Sequence, residues 1–133
     1  MMRNNHKKGF TLSELLIVVA IIGVLVAISI PIFTSQLHKA EVATDWANVR
    51  AYYADIQADY ISSGNYNSKV KIDWSTNREY DWWHITFLNG EKVKLKTGTC
   101  AVNFAEGLGY SIVYDCNSHD PKCRLSLGNS TTP

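Results

Sequence analysis

The stretch "KKGFTLSELLIVVAIIGVLVAISIPIF", Lys7 to Phe33, decides how the rest of the 133-residue chain is read. From Leu15 to Phe33 it is apolar apart from Ser29, Gly23 and Pro31. A helix needs roughly 20 mainly apolar residues to cross a bilayer, and this run is long enough. Glu14 sits at its leading edge. A carboxylate in the bilayer costs roughly 2.5–3.5 kcal/mol at the centre and less near an end, so it needs a function and a partner. Arg3, Lys7 and Lys8, with His6 beside them, precede the run, and no acid does. That bias predicts a cytoplasmic amino end and an exported carboxyl end.

Two ordinary explanations fall short. A secretory signal has a shorter apolar core followed by a small-residue cleavage site, whereas this run leads into Pro31 and Phe33. A plain amino-terminal anchor accounts for the length and the charges but not for Glu14 or the local "KKGFTLSE".

Those residues carry a resemblance. The segment from Lys7 to about Ser62 is similar to the amino-terminal part of type IV pilins and the related pseudopilins. The resemblance implies that a prepilin peptidase cuts between Gly9 and Phe10 and that the new Phe10 amine is methylated. The short leader and the Phe10 start resemble the type IVa branch. Four residues on, Glu14 lies on the same helix face as Phe10. In the family the matching glutamate meets the amine of an adjacent subunit, which makes Glu14 an assembly residue.

Beyond the membrane run the pattern stays helical. Ala40, Ala43, Ala47, Ala51, Ala54, Ala58 and Ile61 recur at spacings of three and four, beside a bulkier stripe of Val42, Trp46, Val49, Tyr53, Ile56 and Tyr60. Glu41, Asp45, Asn48, Tyr52, Asp55, Asp59 and Ser62 form the opposite, polar face. The small stripe is expected to seat the helix on its own sheet. The bulky stripe is expected either in the core or against neighbouring subunits. From Thr11 to Ile61 the helix would measure about 75 Å at 1.5 Å per residue. Gly23 and Pro31 interrupt it, and a kink is expected near Pro31; the resemblance implies that the span from Gly23 to Pro31 can melt locally.

"SSGNYNS" (Ser62 to Ser68) ends the helix, and the period then changes to two. Val70, Ile72 and Trp74 alternate with polar residues. "WWHITFLNGEKVKLK" reads as strand, Asn89-Gly90 turn and strand. "CAVNF" and "YSIVYDC" around Gly107-Leu108-Gly109 read as a second hairpin. The expected class is α+β: a long amino-terminal helix, its first half spanning a membrane, packed by its carboxyl half on an antiparallel sheet of about four strands. Residues 1–9 form a leader by the resemblance, 10–33 the hydrophobic assembly helix, 34–62 its amphipathic continuation and 63–133 the sheet with a terminal loop.

The net charge of +1 writes no strong pull on nucleic acid into the total. No catalytic set emerges. His6, His38, His84 and His119 are scattered, and no hydrolase, metalloprotease or phosphate-loop motif occurs. No cofactor or metal is expected. Asp115, Asn117, Ser118 and Asp120 offer oxygen ligands for calcium without EF-hand spacing, and such residues equally make any exposed turn. Trp74, Trp82 and Trp83, with Tyr66, Tyr80 and Tyr110, make the sheet aromatic, for packing or for stacking on sugars or bases. Trp82 and Trp83 at strand spacing would face opposite ways, so at most one is core. "NST" at Asn129 is a short, common glycosylation pattern.

Of the three cysteines, Cys100, Cys116 and Cys123, an exported domain would pair two. Resemblance to the terminal disulfide loop of type IVa pilins implies Cys116 with Cys123. Pairing of Cys100 with Cys116, across a hairpin centred on Leu108, is the alternative.

The function implied is a structural subunit that polymerises into a type IV pilus, serving adhesion, twitching motility or DNA uptake. The precursor sits in the bacterial plasma membrane before assembly into an extracellular filament. Its implied partners are further copies of itself, the prepilin peptidase, and an inner-membrane assembly platform and motor. A surface glycan or DNA would be the ligand. A pseudopilin of type II secretion or competence machinery shares this assembly chemistry. A membrane-anchored carbohydrate-binding module is the alternative of a different class.

Overall fold

A computed structural model describes residues 9–72, 81–118 and 120–128. Arg3, His6, Lys7, Lys8, Trp74, Tyr80, His119 and Asn129 lie outside the described residues. The chain divides into two compact units, Met1–Leu37 and His38–Pro133.

Helix α1 runs over Leu12–Ser63, within two residues of the expected span at each end. In the first unit its apolar side chains have nothing to bury against. From Phe10 to Phe33 the large apolar residues are 48–78% exposed. This helix is long and apolar enough to cross a membrane. Helical geometry continues through Pro31, although proline has no N–H to return to Ala27. Two nearby hydroxyls bond to the helix itself, Ser29 to the Leu25 carbonyl (2.7 Å) and Thr34 to that of Pro31 (3.0 Å). Neither hydroxyl then needs an outside partner in an apolar medium.

In the second unit α1 ends at Gly64, whose amide closes the last turn onto Tyr60 (2.7 Å) at a φ of +70°. Among the described residues five antiparallel strands follow: β1 (His84–Thr86), β2 (Lys92–Lys94), β3 (Gly98–Ala105), β4 (Gly109–Cys116) and β5 (Leu125–Leu127). β1 pairs with β2, and β4 lies between β3 and β5. The first hairpin aligns His84 with Lys94, one residue off the register of a two-residue Asn89-Gly90 turn. Phe87 and Glu91 are bonded across its base (2.8 Å), and Gly90 takes a φ of +92°. Of the alternating stretch from Val70 to Trp74, residues 70–72 are irregular, and residues 73 and 74 lie outside the described residues. Val70 is buried in irregular chain, and β5 supplies the additional strand.

The core face of α1 is the bulky stripe, with Val42, Val49 and Ile56 buried and Trp46, Tyr53 and Tyr60 packed against them, but two residues of the expected polar face join it. Val42, Asp45, Val49, Tyr52 and Ile56 are its buried residues, and Ala40, Ala43, Ala47, Ala51, Ala54 and Ala58 are exposed. Asp45 and Tyr52, expected at the solvent, are thus interior, and the small stripe expected under the sheet is outside. For Asp45 the reason is hydrogen bonding. The backbone amides of Lys96 (2.7 Å) and Thr97 (2.9 Å) and the Tyr114 hydroxyl (2.7 Å) all donate to Asp45. A buried carboxylate is tolerated when donors surround it. Other polar helix residues act similarly on the loops. The Leu88 amide donates to Asp55 (3.0 Å), the Tyr110 amide to Gln57 (2.9 Å) and the Gly107 amide to the Tyr60 hydroxyl (3.1 Å).

The rest of the core comes from Val70, Ile85, Leu95, Val102, Tyr110, Ile112 and Tyr114. Tyr60, Tyr66, Phe104 and Tyr110 cluster with ring centroids 5.1–6.1 Å apart. Trp82 and Trp83 are each 47% exposed in the turn before β1, so neither is core.

Candidate functional site

The amino end of α1 is built by its own first residues. The Glu14 amide donates to the Thr11 hydroxyl, and the Thr11 amide donates back to the Glu14 carboxylate, both at 3.3 Å. This reciprocal pair is a capping box, which supplies acceptors to amides that lack partners inside the helix. It also places a negative charge at the positive end of the helix dipole. The Thr-x-x-Glu spacing of Thr11 and Glu14 is the sequence signal for this box. Phe10 is 78% exposed just before the cap.

Neither glycine in this segment is demanded by the fold. A Cβ at Gly9 or Gly23 would meet no atom within 4 Å, and neither residue has a positive φ. Any requirement for a minimal side chain at Gly9 must come from a molecule that handles the chain. Gly23 and Pro31 both lie inside continuous helix.

At the carboxyl end, Cys116 and Cys123 form the disulfide, with Cα atoms 5.9 Å apart and seven residues of separation. Cys100 lies outside the bridge, 2% exposed. The alternative pairing with Cys116 fails on register. Cys116 stands opposite Gly98, and Cys100 stands opposite Tyr114, because the hairpin centres on Gly107 rather than Leu108. The bridge is tied to the helix through the Trp46 indole, which donates to the Cys123 carbonyl at 2.9 Å. Asp120 caps the intervening turn by accepting from the Lys122 amide (3.0 Å). Asp115 lies within 4.8 Å of both sulfurs, but a disulfide offers a metal no thiolate.

Burial pushes the Cys100 thiol up to about 12, with the charges of Asp45 and Asp81 adding to the effect. Burial also raises the Tyr114 phenol, reinforced by its bond to Asp45, so it stays a donor. His84 is in β1 and His38 on α1, and no assembly of nucleophile, base and oxyanion donors is found among the described residues.

The comparisons with known proteins bear on the same amino-terminal segment. The family model described as the prokaryotic N-terminal methylation motif matches residues 4–30. A fimbrial protein of Moraxella nonliquefaciens is 32% identical over 114 residues, covering 86% of this chain and 69% of that protein. The chain belongs to the type IV pilin family.

Two further pilins agree. The type IV major pilin protein PilA of Myxococcus xanthus is 31% identical over 106 residues, which cover 79% of this chain and 45% of PilA. The type IV major fimbrial protein FimA of Dichelobacter nodosus is 54% identical over 71 residues, 53% of this chain and 45% of FimA. The chain thus spans less than half of these two longer relatives. No solved structure matches it. As a type IV pilin the chain is a structural subunit and not an enzyme, its precursor held in the membrane by the apolar amino-terminal helix before assembly into an extracellular pilus.

Proposed function

We propose that this pilin is cut between Gly9 and Phe10, methylated at the Phe10 amine, and assembled into a homopolymeric pilus through Glu14. Residues 1–9 are then the leader, 10–33 the membrane and assembly segment, 34–62 the amphipathic helix and 63–133 the surface-forming sheet region. The observation that carries the reading is the exposed apolar segment headed by a single carboxylate. Such a surface requires either lipid or copies of itself. Cleavage creates a cationic amine one residue before the capping box. A neighbour's amine beside Glu14 neutralises both charges as they enter an apolar bundle, and only in one register. The exposed alanine row of the second unit is the face left for close approach by another subunit. The peptidase, the assembly platform and the motor act on this chain from outside it. Adhesion, twitching motility and DNA uptake are uses of the finished filament.

Mass analysis of the amino-terminal peptide from cell-derived protein tests this directly. The expected peptide begins with N-methyl-Phe10. Gly9→Val is expected to leave the precursor uncut, although the side chain has open space in the folded chain. A mature protein that retains Met1, or one cut after Ala27, would contradict the reading.

A further inference from the structure

A cleft of about 170 Å³ opens in the second unit between the chain that follows α1 and the first hairpin. An engineered cavity of roughly this size, 150 Å³, accepts a benzene ring, so the space suits a single six-membered ring. Its walls are unevenly charged. Asp81 is the one acid among the described lining residues, and it is already engaged, 2.7 Å from His84 Nδ1 and 3.4 Å from Lys92 Nζ. That engagement, through the His84 bond first, holds the Asp81 carboxyl below its ordinary range. Lys69 and Lys71 also line the cleft and form no ion pair among the described residues. They flank Val70, which is 1% exposed, and both are themselves exposed. The floor includes Ile85 and Val102, and the Tyr52 ring lies alongside. Two ammonium groups over an apolar floor and an aromatic ring form an amphipathic receptor.

We propose that this cleft binds a six-membered-ring carboxylate of the uronic acid class, with Lys69 and Lys71 receiving the carboxylate and the apolar floor receiving the ring. The ring faces of a pyranose are apolar enough to rest on Tyr52 and the aliphatic floor. None of its lining residues belongs to the amino-terminal segment.

Calorimetric titration of the full chain in neutral detergent with D-galacturonate tests the proposal. Saturable binding is expected, weakened about tenfold or more for the neutral methyl ester, as expected when charge-assisted bonds are lost. Acetate, which has the charge without the ring, should also bind at least about tenfold more weakly, because the floor is left empty. The double variant Lys69→Gln, Lys71→Gln should lose galacturonate binding, and Lys122→Gln, in the terminal loop, should keep it. Both cleft lysines are exposed, so the double variant retains the core. Equal binding of acid and ester, equal binding of acetate, undiminished binding by the double variant, or no binding at all would each overturn the proposal.

Discussion

Asp45 shows how one residue can be misplaced by its type and placed by its partners. An acid at that helical position reads as a solvent contact, yet it is fully buried and accepts three hydrogen bonds from the loop before β3 and from β4. The partners are 51 to 69 residues away in sequence, so no local pattern announces them. Replacing it should be expensive. Asp45→Ala leaves three donors without an acceptor, and a loss of roughly 3–5 kcal/mol is expected. Tyr114→Phe removes one bond to a charged acceptor and should cost about 1.5–3 kcal/mol. Denaturant unfolding of the full chain in neutral detergent measures both, and unchanged midpoints would remove Asp45 from the account. Cys100 supplies a second test at this scale. The thiolate is the reactive form, so a pKa pushed up to about 12 means negligible thiolate at pH 8. Because the shift is upward, reactivity should appear only as pH rises towards that value or when the chain unfolds. Iodoacetamide labelling of native and denatured protein at pH 8 reads this, and rapid labelling of native Cys100 would contradict it.

Among the elements, those written in short-range chemistry were legible and those fixed by distant pairing were not. The bounds of α1, the glycine that ends it and both hairpins follow from periodicity and turn residues. Pairing register does not. A one-residue difference in the centre of the second hairpin places Cys116 opposite Gly98 instead of Cys100. The short β5 was hidden because its edge position depends on the disulfide turn that precedes it. The bulky stripe of α1 does carry the core through Val42, Val49 and Ile56, and what the helical pattern missed is that Asp45 and Tyr52 join it. Gly98 illustrates the close fit between β3 and β4, since a Cβ there would run into the Tyr114 ring. Gly98→Ala should therefore destabilise the second unit by about 1–3 kcal/mol, as overpacked cores do. Cys116→Ser with Cys123→Ser should cost about 2–3 kcal/mol, the loop-closure value for so short a loop. Unfolding midpoints under non-reducing conditions measure each change. A neutral Gly98→Ala would show that the Tyr114 ring moves aside freely.

For the molecule as a whole, the sequence motif and the exposed surface point to the same function by different routes. The likeness to a fimbrial protein shows the family, and the exposed apolar segment explains physically why a lone subunit needs a membrane or its own kind. The capping box adds that Glu14 is already oriented at the head of α1, with Thr11 as its partner in the single chain. In the proposed assembly the carboxylate would exchange an exposed amide for a neighbour's amine, a stronger partner. The most direct test of Glu14 as the assembly residue is sheared-filament yield beside membrane-fraction abundance for Glu14→Ala. Cleavage after Gly9 and membrane insertion should persist, since removing a charge makes insertion easier. Filament yield should fall sharply, because the Phe10 amine would enter an apolar bundle with no counter-charge. Normal filament yield from Glu14→Ala, with normal membrane abundance, would contradict the account.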